Sequence, residues 1–361
     1  MIGRLLLACG VLASAPAFAN DSIAELGTGG LILSRTDAIS MAKENLFISM
    51  DRVTVDYVFR NVIDKDVNAI VAFPMPLIEA NPYSMPALPD DTSDNFLGFK
   101  VSVGGKAVSP QLEQRAFAVE VDVTDLLAAN NVPVNPFAEP VLAALEKLPQ
   151  KTANDWIDRG LIFIDSYDDG SGWKNVRTPL WSLKSTYWWN ATFPAGKDVR
   201  VSHDYKPSVG GTAGLNFFTE GGFNENYAAY KQKYCIDGAF ERAVKKAAAE
   251  SPDGYPRLME WRIDYVLTTG GNWALGNIGD FRLTVDKGDP KDLVSFCAAG
   301  VKKTGPATFE TRQTDFYPQR DIEILILKGW DEVEPMAAKA PARKLERASR
   351  AFDAKAKRPA K

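Results

Sequence analysis

Apolar and polar positions alternate along much of this chain. Val53, Val55, Tyr57 and Phe59 alternate with Thr54, Asp56, Val58 and Arg60, the period-two pattern of a strand with one buried face. Residues 68–73 form a second apolar run, ended at Pro74-Met75-Pro76, where proline removes ladder donors. The polar, turn-rich stretch 61–66 between these runs predicts a hairpin. Residues 79–95, rich in Pro, Asp, Asn and Ser, read as a loop. Phe99, Val101 and Val103 then lead through the Gly104-Gly105 turn into a strand from Lys106. Strands resume at 161–164 and 187–193. After them Val199, Val201, His203 and Tyr205 share one face against Arg200, Ser202, Asp204 and Lys206, so His203 points inward. Further strands are predicted at 263–267, 281–285, 294–297 and 322–326.

Two stretches break this rhythm. Leu126, Leu127, Val141, Leu142, Leu145, Leu148, Trp156 and Ile157 recur at helical spacing among Pro133, Pro136, Pro140 and Pro149. Residues 227–249 place Tyr227, Tyr230, Tyr234 and Phe240 at intervals that can share a helix face. No short internal repeat is present. Strands follow strands without regular crossover helices, so the expected fold is mainly β: antiparallel β-sandwich units with helical insertions. The expected division is a leader at 1–19, an N-terminal antiparallel β unit at 20–124, a helical insertion at 125–160, a second β-rich unit at 161–330 with a helical segment near 225–249, and a disordered basic tail at 331–361.

The leader carries Arg4, an apolar stretch from Leu5 to Leu12, and Ala17-Phe18-Ala19 before Asn20, the three-part pattern of a cleavable secretory signal. Cleavage is expected after Ala19, with the mature protein in the periplasm. The competing lipoprotein box Leu6-Leu7-Ala8-Cys9 leaves only eight residues for both the basic and the apolar regions. The apolar run is too short for the ~20 residues that cross a bilayer, so no transmembrane segment is expected in the mature chain. Removing the leader leaves Cys235 and Cys297, an even count in an oxidising compartment, and a disulfide between them is expected; a pair of buried free thiols is the alternative.

The 361 residues hold 42 Lys and Arg against 46 Asp and Glu, but the balance is uneven. From Met336 to Lys361 there are nine basic and two acidic residues, with much Ala and few large apolar side chains. Such a tail can touch anionic surfaces, while the acidic body and export both argue against nucleic acid as a partner. An envelope component or another periplasmic protein is the expected partner. One histidine and three cysteines exclude zinc ribbons and multi-histidine metal centres, and no cofactor is expected.

Candidate chemistry is sparse, and no residue is assigned a catalytic role. His203 is the only side chain whose ordinary pKa lies near neutrality, but Asp204, adjacent on a strand, faces the other way and cannot orient it. A hydrogen-bonded structural histidine and a ligand contact are both open. Asp165, Asp168 and Asp169 before Gly170 suggest oxygen ligands for a cation, although Tyr167 and Val176 occupy positions where a helix-loop-helix calcium site carries oxygen ligands. An acidic turn is the plainer reading. Trp173, Trp181, Trp188 and Trp189 are clustered; Trp188 and Trp189 point to opposite faces of a strand, so one belongs to the core and the other is a possible stacking platform. The Gly210-Gly211 and Gly270-Gly271 pairs lack the lysine of a nucleotide loop and read as turns.

Several segments in order carry a family resemblance: Asn45-Leu46-Phe47-Ile48-Ser49, Val53 through Asn61, and Val71-Ala72-Phe73-Pro74-Met75-Pro76. His203 through Gly211, Thr269-Gly270-Gly271-Asn272-Trp273, Gly279-Asp280-Phe281-Arg282-Leu283 and the surroundings of Cys235 and Cys297 follow. Together they resemble the uncharacterised, exported proteobacterial family called domain of unknown function 4424, over nearly all of residues 20–330. The resemblance implies export and a single folded unit, and assigns no activity to carry over. The expected function is noncatalytic binding or scaffolding of an envelope component. The alternatives are a hydrolase of cell-wall or carbohydrate material using the aspartates at 165–169 with His203, and a carrier of an apolar small molecule.

Overall fold

The computed structural model describes residues 20–330 apart from 28–29, 81–87, 91–92, 139 and 169. The leader at 1–19, the basic tail at 331–361 and Asp169 lie outside the described residues. The fold is mainly β, with two large sheets facing one another across a common core. One has eight strands, in the order Lys302–Lys303, Thr308–Phe316, Ile278–Asp286, Ile39–Ile48, Val53–Asn61, Asp198–Tyr205, Lys100–Val103 and Lys106–Val108. Its neighbours are antiparallel except Ile278–Asp286, which runs parallel to Ile39–Ile48. The other has six, in the order Gly30–Ser34, Ser22–Gly27, Val67–Pro74, Ser182–Phe193, Gln111–Ala118 and Val121–Asp122.

Alternation explains the packing. In Val53–Asn61 the residues Val53, Val55, Tyr57 and Phe59 are buried while Asp56 and Arg60 face solvent. Those side chains meet Val71, Phe73, Tyr187 and Trp189 from the six-stranded sheet, as expected for two sheets burying their apolar faces on each other.

Strands Val53–Asn61 and Val67–Pro74 are not the hairpin that their patterns predict. The first pairs with Ile39–Ile48 and Asp198–Tyr205, the second with Ser22–Gly27 and Ser182–Phe193, so they lie in opposite sheets. Asn61 makes the crossing. Its Nδ2 donates to the carbonyls of Lys65 (2.9 Å) and Phe193 (2.7 Å), and its Oδ1 accepts from Ile63 N (3.0 Å). These ladders also join residues 20–124 to residues 161–330 in both large sheets, because a period-two pattern reports a buried face and not the strand beside it.

A four-stranded sheet, in the order Gly210–Thr212, Leu258–Tyr265, Ile322–Gly329 and Leu293–Phe296, closes one end of the core. Ile263, Tyr265, Ile322, Ile324 and Ile326 join the main core; Leu325 and Leu327, on the opposite face, pack with Phe217, Tyr234, Phe240 and Val244 beneath two helices. The helices are Tyr227–Tyr234 and Gly238–Ala249. Between them Cys235 takes φ 54°, ending the first, and Asp237 caps the second by accepting from Phe240 N at 2.8 Å. Cys235 is disulfide-bonded to Cys297, just beyond strand Leu293–Phe296, which ties the helix end to the sheet edge.

Helices Thr124–Ala129, Pro140–Glu146 and Gln150–Asp158 form a satellite core around Trp156 and Trp181. Among the described residues no helix is long and apolar enough to cross a membrane.

Candidate functional site

A cleft of about 620 Å³ opens where the four-stranded sheet and helix Tyr227–Tyr234 meet the segment 75–79 and Phe96-Leu97. Strand Leu258–Tyr265 supplies Arg262 and Asp264, two residues apart and so on one face, together with Tyr265 at its end. The helix supplies Tyr230, Lys233 and Tyr234 within little more than one turn, and the edge strand Gly210–Thr212 runs alongside. Gly211 keeps that edge close: a Cβ there would stand 2.9 Å from the Trp261 ring.

The polar wall is pre-organised. Glu260, fully buried, accepts from the Asn216 amide, from the Tyr230 hydroxyl at 2.9 Å and from Arg262 Nη1 at 3.3 Å. Burial raises its pKa, and those hydrogen bonds oppose the rise. Arg262 Nη1 also donates to the Tyr230 hydroxyl at 3.1 Å, and the Arg262 side chain stays about a quarter exposed. Lys233 pairs with Glu323 at 3.3 Å, with its ammonium 5.3 Å from the centre of the Tyr234 ring. Burial pushes the hydroxyls of Tyr205, Tyr230, Tyr234 and Tyr265 upward, so all four remain protonated donors at neutral pH. Aromatic faces, one guanidinium, one ammonium and hydroxyl donors thus converge on one space of the size of a small-molecule site.

Behind the cleft lies a buried polar cluster. The Tyr265 hydroxyl is 3.2 Å from that of Tyr57, which donates to Asn20 Oδ1. Asn20 Nδ2 reaches Glu44 Oε2 at 3.3 Å, and Asp21 Oδ1 stands 3.5 Å from His203 Nε2. All of these side chains are buried. Burial pushes the Glu44 carboxyl up to about 8 and raises Asp21 well above the carboxylate range, with Glu44 adding to the rise. It lowers His203 to about 3.

His203 is therefore a neutral imidazole enclosed by the rings of Tyr57, Phe73, Phe99 and Trp189 at centroid distances of 4.8–5.3 Å. Asp204 faces outward and pairs with Arg52. Trp189 is buried and Trp188 half-buried. Asp165 and Asp168 sit on the hairpin of strands Ile162–Asp168 and Trp173–Pro179, where Asp168 Oδ1 accepts from the amides of Gly170 (2.9 Å) and Gly172 (3.2 Å). Among the described residues no group of three or more His, Cys, Asp or Glu could hold a metal ion. None of these predicted residues lines the cleft, and His203 and the two aspartates stand on different sheets.

Sequence reasoning missed Arg262, Tyr230 and the buried acids. Glu44 left one signal. It stands in phase with Leu46 and Ile48 on an apolar strand face, where a carboxylate is out of place.

A sequence profile described as "Domain of unknown function (DUF4424)" matches residues 19–325, which span both the cleft and the buried cluster. The chain belongs to the DUF4424 family. No curated protein matches it. Among solved structures, the DUF4424 chain is similar over 86% of its length to 70% of a Legionella pneumophila protein described as a candidate nutrient-binding protein, at 17% identity and TM-score 0.45. A second similarity, covering 89% of this chain and 21% of the other, is to dimeric latent PorU from Porphyromonas gingivalis, at 9% identity and TM-score 0.15. The segments from Asn45 to Pro76, from His203 to Gly211 and from Thr269 to Leu283 all fall inside the DUF4424 match.

Proposed function

We propose that this DUF4424 protein is an exported, periplasmic binding protein that holds a small polar, ring-bearing envelope component, such as a saccharide fragment, in the 620 Å³ cleft and performs no chemistry on it. The observation that carries the reading is the convergence of Arg262, already oriented by Glu260 and Tyr230, with the half-buried Tyr230 ring and the Lys233 ammonium. A sugar ring offers an apolar C–H face to stack on tyrosine and hydroxyls to hydrogen-bond with guanidinium and phenol. Export is supported by the Arg4, Leu5 to Leu12, Ala17-Phe18-Ala19 pattern and by the Cys235–Cys297 disulfide, which suits an oxidising compartment. A noncatalytic role is supported by the neutral, enclosed state of His203.

The test is calorimetry of the mature protein with cell-wall saccharide and muropeptide fragments, beside Arg262→Ala and Lys233→Ala. Lys233 lies nearer solvent, so its variant guards against misfolding from an unpaired Glu260. Loss of a charge-assisted hydrogen bond, roughly 1.5–3 kcal/mol, weakens binding about ten- to a hundredfold. Unchanged affinity in both variants moves the ligand out of the cleft, and turnover of a fragment refutes the noncatalytic reading.

A further inference from the structure

The residues that follow the predicted cleavage point are polar, yet Asn20, Asp21 and Ser22 are completely buried. They are held by long-range contacts. Asn20 N donates to Thr269 Oγ1 at 2.7 Å, and Thr269 Oγ1 donates back to the Asn20 carbonyl at 2.9 Å. Trp273 Nε1 donates to the Asp21 carbonyl at 2.8 Å, and Asn272 Nδ2 to Ser22 Oγ at 2.9 Å. Gly270 leaves room for this segment, since a Cβ there would stand 2.9 Å from Asn20 Nδ2.

Two carboxyl groups belong to this buried segment or touch it: that of Asp21, next in the chain, and that of Glu44, whose Oε2 lies 3.3 Å from Asn20 Nδ2. Among the described residues no lysine or arginine pairs with Asp21 or Glu44. Both Asp21 oxygens and Glu44 Oε1 are buried without a hydrogen-bond partner. Buried acids of this kind are costly unless neutralised or paired, and each lone oxygen forfeits the hydrogen bonds it had in water. A compact cation with several donors, delivered next to Asn20, would satisfy both groups.

We propose that hydrolysis of the Ala19–Asn20 peptide bond supplies that cation: the new α-ammonium of Asn20 stays buried at Thr269 and serves as the internal counter-charge of Glu44 and Asp21. In the hydrolysis, water's hydroxyl goes to the Ala19 carbonyl carbon and its proton to the Asn20 nitrogen, which takes a further proton at neutral pH. The atom that now donates one hydrogen bond to Thr269 thereby gains two more N–H donors and a positive charge. Processing becomes a folding step as well as a release step. A chain that keeps its leader has a peptide nitrogen at this point and leaves the carboxyl groups unpaired. The groups facing the pair are Tyr57 and Tyr265, neutral phenols, and His203, a neutral imidazole, so no competing charge is present among them. The inference rests on the export reading above, because it needs cleavage at this bond.

The experiment has two stages. N-terminal sequencing of the protein recovered from the periplasm reads Asn20 as the first residue; any other start overturns the export and processing reading, and this inference with it. The stability of the form beginning at Asn20 is then compared with that of a form beginning at Phe18, each with and without Glu44→Gln. The expected result is a melting temperature several degrees higher for the Asn20 form, a gap that Glu44→Gln largely closes. The Phe18 form loses stability as the pH rises from 4.5 to 8, where the buried Glu44 must give up its proton, and the Asn20 form shows little of this loss. The α-amine of native Asn20 also resists acetylation that modifies it at once after denaturation. Equal melting of the two forms, with an α-amine that acetylates at the rate of an exposed amine, overturns the inference while leaving export intact.

Discussion

Replacing both Cys235 and Cys297 with serine tests how far the helical layer depends on its covalent tie. The bridge joins residues 62 positions apart, so its loss frees a long loop in the unfolded chain. The chain-entropy relation for a loop of that length gives about 14 cal/mol/K, or about 4 kcal/mol at 25 °C. About 300 ordered residues at roughly 2.1 cal/mol/K each make the unfolding entropy about 0.6 kcal/mol/K, so that loss lowers Tm by roughly 6 °C. The native side of the balance changes little, because Ser295 Oγ still donates to the Tyr234 carbonyl at 3.0 Å and the apolar contacts of Tyr234, Phe240 and Val244 with Leu325 and Leu327 remain. The assay is calorimetry of the wild type and the double variant, paired with urea titration in which the variant shows a larger m-value because its unfolded state expands. A Tm change below about 1 °C with an unchanged m-value refutes the reasoning, since it means that the bridge constrains nothing that the unfolded chain would otherwise explore.

Trp181→Ala, at a fully buried side chain whose Nε1 donates to the Val134 carbonyl at 2.8 Å, costs about 3–5 kcal/mol in urea unfolding, with ligand affinity in the cleft preserved because Trp181 belongs to the satellite core. Gly279→Ala places a Cβ 2.7 Å from the Ala42 carbonyl oxygen across the parallel strand pair and costs roughly 1–3 kcal/mol, whereas Gly210→Ala, whose nearest neighbour is Arg262 Nε at 3.8 Å, is tolerated; thermal melts of the two variants compare them directly. His203 sits at about 3 when folded and near 6.5 when unfolded, so the unfolded chain binds the extra proton and stability falls as pH drops through 6.5. Between pH 7.5 and 5 this group removes about 2 kcal/mol, and His203→Gln flattens that limb of the stability profile; an unchanged limb shows that His203 does not stay neutral.

The sequence disclosed faces well and neighbours poorly. The alternation at Val53 through Phe59, the inward turn of His203 and the helical spacing of Tyr227 through Tyr234 reappear in the fold, because each depends on which way a side chain points relative to its own backbone. The single helical stretch expected over 227–249 is instead broken at Cys235, and Phe240 belongs to a second helix. The Cys235–Cys297 bond was legible from a count, since only two cysteines follow residue 20. The strand beside Val53–Asn61 was not legible. Its partners come from residues 39–48 and 198–205, and the choice between them and the nearby 67–74 is made by the crossing at Asn61, whose carbonyl partners include Phe193, 132 residues away.

The cleft was hidden for a related reason, one of function rather than register. Each of its residues already had a sufficient local explanation: Met75 and Pro76 as a strand stop, Gly210 and Gly211 as a turn, Tyr230 and Tyr234 as the apolar stripe of a helix. Their convergence depends on the four-stranded sheet, where Ile322, Ile324 and Ile326 face the sandwich core while Leu325 and Leu327 face the helices. That two-sided burial holds helix Tyr227–Tyr234 over strand Leu258–Tyr265 and brings Tyr230 to Arg262 and Glu260. The buried acids show the opposite case, in which a local signal was present but ran against expectation. Asn20-Asp21-Ser22 is a run of polar side chains, and Glu44 a carboxyl on an otherwise apolar strand face. The polar stretch is drawn inside because it leads into Ser22–Gly27, an interior strand paired on both sides, and Glu44 because it lies on the buried face of Ile39–Ile48 in the opposite sheet. A carboxylate in phase with Leu46 and Ile48 is thus the more informative departure: apolar periodicity locates a core, and the charged residue that interrupts it locates the place where that core needs a partner.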